Sequence, residues 1–88
     1  MTPEELSLLK RAEDYVVAIE LTTGEKFFAE VQIVVDQLPT PDVFLLRVDR
    51  EPDGAFVSAK ESGESILLSE ISRVAQIPGV KYPDEQSA

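Results

Sequence analysis

The strongest constraint in this sequence is the change of apolar spacing at Tyr15. Before it, Leu6, Leu9 and Ala12 recur three apart and Leu8 slightly widens the stripe, the spacing of one helix face. After it, Tyr15, Val17, Ile19 and Leu21 alternate with Val16, Ala18, Glu20 and Thr22, the period of a strand with one buried face. Helix signals frame the first part. Thr2 and Glu5 have capping-box spacing, Pro3 suits the first helical position, and Lys10 and Arg11 sit toward the negative end of the dipole. The pattern predicts a helix over about residues 3–13, a short lid for whatever the strands build.

The period of two continues. Thr23-Gly24-Glu25 is a tight turn, with Gly24 supplying positive φ. In the second strand Phe27, Ala29, Val31, Ile33 and Val35 are expected inward, with Phe28, Glu30, Gln32, Val34 and Asp36 opposite, and its length favours a bend or bulge near Gln32. Pro39 and Pro41 break the ladder before a third strand, Val43 to Arg50, with both faces partly apolar. Glu51-Pro52-Asp53-Gly54 is a turn, Ala55 to Lys60 a fourth strand, and Glu61-Ser62-Gly63-Glu64 turns it back. Ile66 to Leu68 is a short fifth piece. Leu68-Ser69-Glu70-Ile71 reads as one helical turn with Ser69 able to cap it, and Arg73 to Ile77 as the last strand. Residues 1–80 thus form one domain and residues 81–88 a polar, frayed tail. The fold class is mainly β: a small antiparallel barrel or strongly bent sheet of five or six strands with one N-terminal helix, a barrel being the arrangement that hides its edges.

Two stretches carry a resemblance. Val17-Ala18-Ile19-Glu20-Leu21-Thr22-Thr23-Gly24-Glu25-Lys26-Phe27-Phe28-Ala29-Glu30-Val31 resembles the opening hairpin of Sm-like proteins. Ile66-Leu67-Leu68-Ser69-Glu70-Ile71-Ser72-Arg73-Val74 resembles their closing segment, where a strand passes through one turn into the last strand. Together they cover 24 of 88 residues. The resemblance to Sm-like and SH3-like small barrels is architectural. RNA-binding members of the family carry a basic or Gly-containing turn before the last strand, and this chain has Glu70 there.

Composition narrows the chemistry. Cysteine and histidine are both absent. Disulfides, zinc sites and Cys-His or Ser-His-Asp catalysis are therefore excluded, and general acid–base work falls to groups whose ordinary pKa lies far from neutrality. No cofactor or metal is expected, and the chain reads as a non-enzyme. The net charge of −9 is spread along the chain, a field that repels phosphate backbones and anionic headgroups. No apolar run approaches the roughly 20 residues that cross a bilayer, and no basic, apolar-cored leader is present, so a cytoplasmic setting is the expectation.

Three groups of residues are candidates for function. Asp49, Glu51 and Asp53, followed by Gly54, have the alternate oxygen donors of half a calcium loop. Pro52 interrupts that loop and Lys60 occupies the place of its closing glutamate, so the reading is a solvated hairpin turn. Asp49, Glu51, Asp53, Glu61 and Glu64 can cluster at one end, either as charges that turns tolerate or as a surface for a basic partner. Phe28, Val34 and Phe44 form an apolar patch on the outer face or the seat of the N-terminal helix. The leading reading is a non-catalytic protein-interaction module that self-associates through an edge strand. An acidic inhibitor or nucleic-acid mimic on a basic partner is second, and an Sm-like RNA-binding subunit third.

Overall fold

The computed structural model describes residues 1–37, 39–58 and 63–82. Helix α1 (Pro3–Arg11) precedes strands β1 (Val16–Leu21), β2 (Lys26–Val35), β3 (Asp42–Arg50), β4 (Phe56–Ser58) and β5 (Glu64–Leu67). A 3₁₀ turn (Leu68–Glu70) leads into β6 (Ile71–Ala75). All six strands form one antiparallel sheet ordered β4-β3-β2-β1-β6. The short β5 pairs with the first half of β3, beside β4 along the same edge. The sheet is strongly bent and not closed into a barrel.

The bend has a local cause. Between Val31 and Ile33 the pairing of β2 with β3 slips by one residue, with Gln32 in the slip and its amide bonded to Glu30 at 2.8 Å. An extra residue in one strand turns every later side chain to the opposite face. Ala29 and Val31 are accordingly buried before the slip, whereas Ile33 and Val35, expected inward, are exposed after it, and Val34 turns in against the core.

The core lies between the bent sheet and α1. Leu8, Leu9 and Ala12 meet Val17, Ile19, Ala29, Val31, Val43, Leu45, Ile66, Leu68, Ile71 and Val74. Thr2 and Glu5 form the capping box, so the helix starts where the sequence signals it. The helix ends at Arg11, and Asp14 takes a left-handed φ of 73° to swing the chain into β1.

Side chains satisfy the backbone where strands run out of partners. β2 outreaches β1, and the Val34 N–H donates to the Glu13 carboxylate at 2.9 Å. At the far edge of the sheet the Val74 N–H in β6 donates to Glu5 at 2.8 Å, while the other oxygen of that carboxylate accepts from the Thr2 N–H at 2.9 Å. Lys10 pairs with Asp36 at 2.6 Å, fixing α1 to the end of β2.

Several expectations are corrected. Ser69 makes no cap for the 3₁₀ turn, which begins at Leu68. β6 ends at Ala75, and the chain then folds back so that the Ile77 N–H donates to the Tyr82 hydroxyl at 3.1 Å, which itself donates to the Val16 carbonyl. Tyr82, expected in a frayed tail, thus packs on the core beside Tyr15. The rest of the expected tail lies outside the described residues.

Two predictions follow from these contacts. A Cβ at residue 63 would stand 2.6 Å from the Phe44 ring and 3.0 Å from the Leu45 carbonyl oxygen. Gly63→Ala is expected to lower stability by about 1 kcal/mol or less in urea denaturation, because the exposed Phe44 ring can swing aside and only the Leu45 carbonyl must give. The Thr2 and Val74 N–H groups, in that order, hold the Glu5 carboxyl below its ordinary value of 4.5. Its folded pKa lies below its unfolded one, so its stabilising effect is complete above about pH 4.5 and fades as pH falls through the lower folded value. Thermal melts of Glu5→Gln should show a deficit against the parent at pH 7 that shrinks toward pH 3.

Candidate interaction surface

The slip in β2 decides what the outer face presents. Register pairs Ile33 with Phe44 and Phe44 with Ser65, while Val35 faces Asp42 and Asp42 faces Leu67. These two adjacent rows place Ile33, Val35, Phe44 and Leu67 together, and they are 52%, 41%, 40% and 40% exposed. For large apolar side chains in one contiguous strip this is unusual, since isolated exposed residues are common but grouped ones mark contact surfaces. The strip reaches β5, beyond which no further strand lies among the described residues.

Of the three apolar residues expected here, only Phe44 takes part. Val34 is turned inward by the slip. Phe28 is half-buried, its ring edge-on to Phe56 with centroids 6.0 Å apart. Helix α1 does not cover the strip, because its buried residues belong to the core cluster on the other face. Ile33, Val35 and Leu67 were not signalled by the sequence. In the run Ile33-Val34-Val35 every residue is apolar, so it does not reveal which faces water.

The acidic candidates separate. Asp49, Glu51 and Asp53 are exposed on the β3–β4 hairpin, where Asp53 accepts the Ala55 N–H at 2.9 Å and the Glu51 N–H donates to the Ala55 carbonyl at 2.7 Å. Gly54, at φ 92°, completes the turn. Arg50 stands among them, its guanidinium 5.5 Å from the Phe56 ring centre. Among the described residues no group of three acids can hold a metal ion. Glu61 and Lys60 lie outside the described residues. Glu64 reaches from β5 to Arg47.

Arg47 is the polar residue that sequence reasoning missed. It faces Ala29 across the ladder, its guanidinium lies 4.0 Å from the Phe27 ring centre, and it bonds to Glu64 and to both oxygens of Glu25, at 2.8 and 3.3 Å. These bonds, that with Glu25 foremost, raise its pKa and keep it charged. One cation therefore ties the β1–β2 turn to β5 across the open side of the sheet. Its signal in the sequence was only a base interrupting an apolar strand.

On the outer face of β6, β1, β2 and β3 a groove of about 570 Å³ has Ala18, Ala75, Phe28 and Val48 along it. Its charges alternate across the strands, Arg73 against Glu20 and Glu20 against Lys26, so they neutralise one another instead of converging on one ligand charge. Among the described residues no helix is long and apolar enough to cross a membrane. No protein-family model, curated protein or solved structure matches the chain.

Arg47→Met, which keeps the stem over Phe27 but removes the bonds to Glu64 and Glu25, is expected to cost about 1 kcal/mol in urea denaturation. Arg47→Lys should fall between, because an ammonium cannot reproduce the forked geometry that reaches two carboxylates.

Proposed function

We propose that this chain is a non-catalytic protein-interaction module that self-associates through the strip of Ile33, Val35, Phe44 and Leu67. The observation that carries the reading is the contiguous exposure of those four side chains in a chain whose other large apolar residues are mostly buried. The absence of histidine and cysteine supports it by elimination. A cytoplasmic setting belongs to the same proposal and rests on the cysteine-free composition.

The element order keeps a likeness to the Sm-like small barrels at the level of architecture. Glu70 in the 3₁₀ turn and the net charge of −9 weigh against an RNA-binding role. Among the described candidates Asp49, Glu51 and Asp53 share one hairpin while Glu64 is held by Arg47, which leaves the mimic of nucleic acid without a specific observation in its favour.

The test is light scattering across a concentration series for the parent and for Ile33→Thr/Phe44→Thr, a pair that keeps strand-forming side chains while removing apolar surface. The parent should associate and the double variant should stay monomeric with an unchanged circular dichroism spectrum. Equal association of the two would overturn the reading.

A further inference from the structure

Resting on that reading, we infer that the strip's occupant is a second copy of this chain, added to the sheet through the outer edge of β5 in an antiparallel, two-fold register centred on Ile66. The backbone sets the register. Leu68 donates its N–H to the carbonyl of Pro41, the residue just before β3 in the same chain, at 3.0 Å, and the ladder pairs Ile66 with Val43 and Glu64 with Leu45. In an antiparallel ladder successive residues point their N–H and C=O groups to opposite sides. Leu68, Ile66 and Glu64 are thus committed to β3, and Ser65 and Leu67 turn theirs outward, where no strand lies among the described residues. A two-fold axis at Ile66 sets Ser65 of each copy against Leu67 of the other, so that both pairs exchange N–H and C=O bonds.

The side chains fit the same register. Ser65 stands beside Phe44 on the outer face, and it is the small residue of that row. Leu67 of the second copy falls opposite Ser65 and can lie against the Phe44 ring. The row then runs Ile33, Phe44, Ser65, and on through Leu67, Asp42 and Val35 of the other copy.

Charge and topology select a second copy over a basic protein. Asp42 is the single ionised residue of the two rows, and Glu64 is held by Arg47. The two Asp42 carboxylates would be three inter-strand steps apart, roughly 14 Å at the usual spacing, beyond the screening length of about 8 Å in physiological salt. The acids a basic partner would seek are at the other end of β3, on the β3–β4 hairpin. The opposite edge of the sheet is not free: α1 packs beside β6 and Glu5 accepts the Val74 N–H. Head-to-tail growth needs two different open edges, whereas a single edge that pairs with itself closes at two copies.

The chain has no cysteine, so introduced thiols report on this contact alone. Mixing Ser65→Cys with Leu67→Cys under mild oxidation should give a covalent dimer several-fold faster than either variant alone, because only the mixed pair sits within disulfide reach. In the unaltered chain, the Ser65 and Leu67 amides should exchange more slowly with solvent as concentration rises. Association without this cross-link and without this protection, or assemblies larger than two, would overturn the inference and leave the strip as an interaction surface. A chain that stays monomeric at millimolar concentration overturns both.

Discussion

The one-residue slip of β2 at Gln32 is the constraint on which the remaining architecture depends. Before it the strand buries Ala29 and Val31; after it the same strand buries Val34 and exposes Ile33 and Val35. An unbroken alternation would bury Ile33 and Val35 and set Val34 on the surface. Three apolar residues in succession make the switch affordable, since whichever phase the strand adopts it keeps an inward apolar side chain. The exposed strip is thus a by-product of the way the sheet bends.

Bending brings a second requirement, the closing of a sheet whose ends do not pair. Arg47 meets it by lying on Phe27 and binding carboxylates from two separate segments, Glu25 and Glu64. A planar, permanently charged group suits this position, because it can stack and bond at once. Its partners retain access to water, so the cluster avoids the desolvation that makes fully buried ion pairs unfavourable.

The helix, the number of strands, the turns at Gly24 and Gly54 and even the irregularity near Gln32 were legible in the sequence, because each rests on local chemistry: a capping box, a glycine with positive φ, an alternation too long to stay straight. What was not legible depended on phase and on distance. Phe28 and Phe44 looked equivalent as outward aromatics, yet Phe28 finds Phe56 on the neighbouring hairpin, while the Phe44 ring lies over Gly63 and stays exposed. Glu64 looked like one more turn acid until the fold brought Arg47 to it. Tyr82 looked like tail because nothing nearby in the sequence shows that its hydroxyl bridges Ile77 and Val16.

Glu5 belongs to two structures at once, the first turn of α1 and the margin of the sheet. Loss of the helical turn therefore also strips the acceptor from β6. A molecule with one open margin stops growing at a pair, but with two it can extend without limit, as unprotected strand margins do in fibrous aggregates. The first turn of the helix thus guards the β6 margin, and loss of a few N-terminal residues would leave a second strand edge uncovered.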